Sequence, residues 1–251
     1  MTQTKVPRIF DRRQAAAKWS RAHDRQRLHG GATYLADTMA ADILERLDFM
    51  RFEADRVLVV GDAAGKLTKP LVDRGASGNI GRLGQFDEEK PGTPASFDLV
   101  VHLLGLGMVN DLPGALIHAR NVLADGGLFF AAFPGAGSMP VLRQLALEAD
   151  GERPAARMHP LVDNRAGTAL LERAGFARQV VDSYPIRVRY PSLERMIGDL
   201  RDHGLTSSLT SAAPPLTRAG WSKAEALFDS LREEDGKVVE TFEVLTLTGW
   251  R

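Results

Sequence analysis

Residues 57–67 read VLVVGDAAGKL, an apolar run that ends at a glycine, turns, and meets a second glycine four positions on. Gly61 can take backbone conformations that side chains forbid, and Gly65 can let a following segment pack close to the strand. A strand, a glycine-bearing turn and a helix start form a corner where a nucleotide-like ligand lies beyond the strand ends. Asp62 and Ala63 stand inside that corner. The same letters also describe an ordinary strand-to-helix turn, so context must decide. Other residue types that carry chemistry are sparse. His102 sits within the apolar run 97–104 and could touch a ligand from the strand end, although a lone histidine is more often packed or hydrogen-bonded structurally. His159, before Pro160, reads as a loop residue. No His-x-x-x-His or acid-histidine spacing suggests a metal. The absence of cysteine excludes disulfides, thiolate metal sites and a cysteine nucleophile.

The 251 residues can bury a full core, as one large domain or one domain with an appendage. With 44% hydrophobic and 25% charged residues, the composition is that of an ordinary soluble globular protein. Lys plus Arg equals Asp plus Glu at 32 each, which removes a global electrostatic argument for nucleic acid or an anionic membrane. No apolar run approaches the roughly 18 residues that cross a bilayer, and the N-terminus lacks the apolar core of a secretory signal. The basic stretch 1–22 resembles a transit peptide in composition, but Asp11 and Trp19 favour a folded cap.

The elements that must position the corner follow from periodicity. Residues 8–22 form a basic helix capped by Asp11, with Trp19 either tucked onto the domain or closing the ligand mouth as a lid. Leu35, Met39, Ile43 and Leu47 recur every fourth residue and predict a helix over 33–47. Past the corner, Thr68 and Pro70 open a short helix that stops at Gly75. Strands are expected at 57–60, 77–83, 97–104 and 128–133, and the charged, proline-bearing stretch 85–96 reads as an exposed loop. Asn110 and Asp111 cap the helix that links the last two strands, making a right-handed parallel crossover. Helices are expected at 138–149 and 163–174. Two strands, 177–184 and 186–190, are separated by Pro185, and a helix follows Ser192. Ser222 and Glu225 suggest a capping box for a helix reaching residue 231. Residues 238–250 alternate and predict an antiparallel edge strand. Residues 1–50 are read as an N-terminal helical cap and 51–251 as a single α/β domain.

The order of elements resembles the class I S-adenosylmethionine-dependent methyltransferases, a three-layer Rossmann-like fold. Within them the chain resembles the methyltransferase-type complex I assembly factors, their bacterial relatives, and the biotin-pathway malonyl-carrier-protein methyltransferases. The matching strings are residues 9–12 (IFDR), 97–101 (FDLVV), 109–113 (VNDLP), 125–128 (DGGL), 171–176 (LERAGF) and the closing Gly249-Trp250. The resemblance implies S-adenosyl-L-methionine as cofactor, held by Gly61, Asp62, Ala63, Gly65, Arg82, His102, Leu103 and Leu104, with Arg12 and Trp19 as substrate or lid residues. It implies a protein substrate, a respiratory complex I subunit among the candidates. The compartment would be the bacterial cytoplasm, or the mitochondrial matrix in a eukaryote.

The departures from the family pattern fall on the cofactor's grip. The family carries an acid two residues before the first glycine, and Val59 stands there. The family's middle glycine is Ala63, whose methyl group crowds the ligand. The second strand of the family ends in an acid that takes both ribose hydroxyls. Here the region reads Asn79-Ile80-Gly81-Arg82, and Asp87, Glu88 and Glu89 come only later, in the loop. The short spacing before residue 97 implies that a helix and the family's third strand are reduced or absent. Gly107 and Met108 replace the His-Trp of close relatives. Two readings follow: an enzyme with an eroded cofactor site, or a non-catalytic binding or assembly protein. In the second, Arg12, Arg13, Lys18, Trp19 and the helix after Ser192 would offer partner surface. Methyl transfer mainly needs alignment of the acceptor, so the lack of a catalytic dyad decides nothing.

Overall fold

The computed structural model describes residues 8–251, and the opening of the basic stretch, residues 1–7, lies outside them. Helices α1 (Arg12–His29) and α2 (Tyr34–Met50) lead into strand β1 (Arg56–Val60), followed by α3 (Thr68–Asp73) and β2 (Ser77–Gly81). Next come β3 (Phe97–Leu103), a single 3-10 turn at Gly105–Met108, α4 (Leu112–Val122) and β4 (Leu123–Pro134). The chain ends with α5 (Pro140–Asp150), α6 (Asn164–Ala174), β5 (Ala177–Tyr190), α7 (Leu193–Asp202), α8 (Arg218–Ser230) and β6 (Val238–Trp250).

The strands form one sheet in the order β2-β1-β3-β4-β6-β5. β1 pairs in parallel with β2 and β3, and β3 with β4, while β6 runs antiparallel to both β4 and β5. The expected edge position of the last strand is therefore corrected. β6 is antiparallel but interior, and β5 forms that edge of the sheet. β5 also continues through Pro185 as one strand, because an edge strand tolerates a residue without an N–H. At the opposite edge lies β2, with Ile80 64% exposed. No strand or helix occupies residues 82–96, in line with the short spacing read there.

Side chains alternate across the sheet and sort the core into two layers. Val57, Val59, Leu99, Val101 and Leu103 face α2, whose Leu35, Met39, Ile43 and Leu47 form the expected stripe. Leu58, Val60, Val100 and Phe129 face α4 and α6. A satellite cluster joins α5, α7 and α8 around Tyr190 and Phe228. Local caps follow the sequence at Asp11, Asp111, Asp163 and Ser192, and Gly175 ends α6 in the left-handed conformation. α8 departs from expectation. It begins before Ser222, because the Thr217 side chain accepts from Gly220 N. No helix of the described residues is long and apolar enough to cross a membrane.

Candidate functional site

The glycine corner is built by two different constraints. Gly61 has φ +93°, and a Cβ there would stand 2.3 Å from the Leu103 carbonyl oxygen, so β1 can leave the sheet only through a residue without a side chain. Gly65 has φ +69° but open space around it. Its conformation, and not the close packing expected of it, requires glycine. Between them Asp62 turns inward and is 6% exposed. Its Oδ1 accepts from Lys66 N at 2.9 Å, and its Oδ2 accepts from Leu67 N at 3.0 Å, Thr68 N at 2.7 Å and Thr68 Oγ1 at 2.8 Å. This carboxylate holds the first turn of α3, where orphan N–H groups and the helix dipole favour an anion.

The corner opens onto a cavity of about 420 Å³ at the carboxyl ends of β1 and β2. Of the residues singled out from sequence, Gly61, Asp62, Ala63, Gly65, Arg82, Leu104 and Trp19 line it. Leu104 has φ +66° and ψ −45°, an uncommon conformation for a side-chain-bearing residue and a form of local strain found at binding sites. His102 and Leu103 do not line the cavity. Period-two alternation turns His102 to the opposite sheet face, and Leu103 is buried in the layer beneath α2. Arg12 lies away from it as well, paired with Asp87 and Glu89. Sequence reasoning did not single out His23 and Gln26 of α1, Asp37 of α2 or His203 after α7. These come from three remote segments and share no spacing that could have marked them.

Helix α1 roofs the cavity. Trp19 is 7% exposed and seats between two glycines: a Cβ at Gly84 would meet Ala16 Cα at 2.9 Å, and one at Gly204 would meet Trp19 Cε3 at 2.2 Å. Asp202 fastens the other end of α1, accepting from Arg25 Nε at 2.5 Å and Ala32 N at 2.9 Å, while its carbonyl takes Gln26 Nε2 at 2.8 Å. Ahead of α1, Asn110 Oδ1 accepts from Ile9 N and Phe10 N, each at 2.8 Å, and Asn110 Nδ2 donates to Phe10 O. Glu89 Oε1 accepts from Asn110 N and Asp111 N. The strings IFDR and VNDLP are thus two sides of one clamp. Lys18 donates to the Ser207 carbonyl, Arg12 pairs with Asp87 and Glu89, and Trp19 is buried, so of the four supposed partner contacts on α1 Arg13 is the one that is exposed and makes no side-chain bond within the described residues.

Two carboxylates line the cavity, Asp37 and Asp62. Asp62 is spent on α3, whereas Asp37 accepts one bond, from Thr33 Oγ1 at 2.7 Å. His203 is 1% exposed with both ring nitrogens unpartnered, edge-on to Tyr34 at 4.5 Å, and burial lowers its pKa to about 4. At the tip of β2 the cavity meets Arg82 and no acid. Asp87 and Glu89 are committed to Arg12 and the clamp, and Glu88 sits with Leu83 against Gly105, outside the cavity. The fit to an adenosyl amino acid is therefore partial. The glycine corner offers a cradle and Asp37 a counter-charge for an amino group, while the position of the ribose hydroxyls has no carboxylate to accept from them.

Comparison with known proteins agrees with this architecture. The mouse protein "Arginine-hydroxylase NDUFAF5, mitochondrial" (Mus musculus) is 34% identical over 170 residues, 66% of this chain and 50% of that protein. The "Malonyl-[acyl-carrier protein] O-methyltransferase" of Laribacter hongkongensis is 30% identical over 165 residues, 65% of this chain and 54% of that one. The chain thus spans about half the length of these curated relatives. Among solved structures, the 1,6-didemethyltoxoflavin-N1-methyltransferase of Burkholderia thailandensis superposes with a TM-score of 0.52 at 13% identity, covering 95% of this chain and 87% of that one. No protein-family model matches. The fold is that of the class I S-adenosylmethionine-dependent methyltransferases, and the resemblance read from the sequence holds.

Proposed function

From a chain that carries the class I methyltransferase fold, we propose a protein that receives S-adenosyl-L-methionine weakly in the cavity under α1 and acts on a group presented by a protein. The observation that carries this reading is the glycine corner opening onto a lidded cavity whose β2 end bears Arg82 and no acid. A hydrogen bond to a charged group contributes about 1.5–3 kcal/mol, so each missing ribose bond weakens binding by roughly tenfold to a hundredfold. The relatives' names supply the substrate class: one is named for arginine, the other for an acyl group on a carrier protein. The exposed Arg13, Arg21 and Arg27 give α1 a basic outer face beside the cavity, suited to an acidic protein surface, and a respiratory complex I subunit is one such candidate.

A second reading, a non-catalytic assembly or binding protein, is favoured by the use of Asp62 and of the IFDR and VNDLP strings to hold the fold together. Calorimetric titration with S-adenosylmethionine and S-adenosylhomocysteine separates the two. High-micromolar to millimolar binding supports the weak-site reading. Silence at millimolar ligand by a folded protein supports the second, and low-micromolar binding contradicts the eroded grip on which both rest.

A further inference from the structure

On the sheet face that carries α2, toward the end of that helix remote from the front cavity, lies a hollow of about 530 Å³. Asp37 borders the front cavity and Phe49 this hollow, about 18 Å apart along the helix axis. Its floor is a cross-strand row, Val180 of β5, Thr248 of β6 and Phe130 of β4, with Trp250 beside it. Asp42, Glu45, Arg46 and Phe49, which recur at helical spacing on one side of α2, form the wall. This hollow carries more acid than base. Arg46 Nε donates to Asp42 Oδ2 at 2.9 Å, and its two Nη groups donate to the Asp182 oxygens at 2.6 and 2.9 Å. One guanidinium thus faces three carboxylates, because Glu45 is exposed and joins no ion pair among the described residues, and Asp42 Oδ1 accepts no bond there. Burial holds the Asp42 carboxyl above its ordinary value despite Arg46, and the charges of Asp182 and Glu45 push the same way. A second observation is independent of charge. Tyr184, Thr246 and Thr248 each carry an unpartnered buried hydroxyl, and of these Thr248, 4% exposed, lines the hollow. Buried polar groups are nearly always hydrogen-bonded, so an open acceptor at the floor of an acidic, aromatic-lined hollow points to a bound donor.

We propose that this hollow receives the side chain of a lysine presented by a partner polypeptide. An ammonium group carries three N–H donors and no acceptor, and Asp42 Oδ1, the Glu45 carboxylate and Thr248 Oγ1 offer it three acceptors. The methylene stem suits Met50 and Phe130, and the faces of Trp250 and Phe49 attract a cation. A polypeptide, and not a free amine, fits the rim. Phe49 is 89% and Val180 47% exposed, apolar surface that the residues flanking a lysine would cover. None of the residues lining this hollow lines the front cavity, so the inference is independent of whether an adenosyl ligand binds there.

The test titrates the full chain with the capped tripeptide leucyl-lysyl-leucine amide and with counterparts carrying norleucine or arginine in the middle, followed by calorimetry and by the methyl resonance of Thr248. The lysine peptide is expected to saturate below about 1 mM and to shift that resonance, and the norleucine peptide to bind at least about tenfold more weakly. Glu45→Gln and Phe49→Ser, both at exposed positions, should each weaken binding about threefold or more, whereas Glu172→Gln on α6, across the sheet, should leave it within about twofold. Thr248→Val removes the hydroxyl and keeps the shape, so it should lower affinity without lowering the Tm. Equal binding of the lysine and norleucine peptides, indifference to Glu45→Gln, or a fall in Tm with Thr248→Val would overturn the assignment. So would tighter binding of the arginine peptide, or n-butylammonium binding as tightly as the lysine peptide. Self-association of the chain that Phe49→Ser abolishes would give the face to a second copy and refute it equally.

Discussion

Replacing Asp62 by Asn tests whether this carboxylate serves the fold and not the ligand. The variant keeps the shape of the side chain but exchanges one acceptor oxygen for an NH₂ group. Its remaining oxygen is best placed on the side of Leu67 N, Thr68 N and Thr68 Oγ1, which sets the NH₂ group against the Lys66 N–H. One charge-assisted bond is then lost, about 1.5–3 kcal/mol. The lost negative charge at the start of α3 adds about 0.3–1 kcal/mol. The sum is about 2–4 kcal/mol, and a chain of this size shifts its Tm by about 2–4 °C per kcal/mol, so a fall of roughly 4–16 °C is expected. Urea unfolding and calorimetric melting measure it, alongside titration with S-adenosylhomocysteine. Asp37→Asn is the comparison, since Asp37 lines the same cavity but accepts only from Thr33. That variant should barely move the Tm and should lower whatever ligand affinity exists. If Asp62→Asn leaves stability within about 0.5 kcal/mol of the parent, the range of a neutral surface change, and instead abolishes binding, the structural role given to Asp62 is wrong.

Other expectations follow from the same contacts. Glu88 has a folded pKa near 7 against 4.5 unfolded, so the fold keeps a proton that the unfolded chain releases, and stability should fall as pH rises from about 4.5 to about 7. Glu88→Gln should remove that slope and raise stability at pH 8 by up to about 3 kcal/mol, measured as Tm against pH. Asn110→Ala removes three hydrogen bonds from residues 9 and 10, and hydrogen exchange should show the start of α1 opening more often while the β3 amides stay protected. Gly61→Ala should not yield folded protein at 37 °C, because its Cβ would stand 2.3 Å from the Leu103 oxygen; recovery of a native melting curve would refute the constraint. Ala63→Gly combined with Arg82→Asp should tighten binding of S-adenosylhomocysteine by about tenfold or more if a missing ribose carboxylate limits affinity. Val59 is a poor place to restore an acid. It is fully buried between Val101 and Ile80 of the flanking strands, where a carboxylate would be an unpaired buried charge.

Features set by neighbours in sequence were the readable ones. The apolar run of β1, the every-fourth stripe of α2, and the caps at Asp11, Asp111, Asp163 and Ser192 each depend on a few consecutive residues. Strand order does not, which is why the alternation in β6 revealed an antiparallel strand but not its interior place. The candidate site divides in the same way. Gly61, Asp62, Ala63 and Gly65 are one local motif, whereas His23, Asp37 and His203 meet only because Asp202 draws α1 and the start of α2 onto the end of α7. For His102 the signal was present: it shares strand parity with Val100, and so could not share a face with Val101.

Whether an acid grips the ligand's sugar is decided by a crystal of the full chain grown with saturating S-adenosylhomocysteine. The amino-acid end of the ligand is expected at the bend after β1 and its sugar hydroxyls beside Arg82, with no carboxylate oxygen within hydrogen-bonding reach. A fully ordered ligand whose two sugar hydroxyls are held by an Asp or Glu side chain would contradict it.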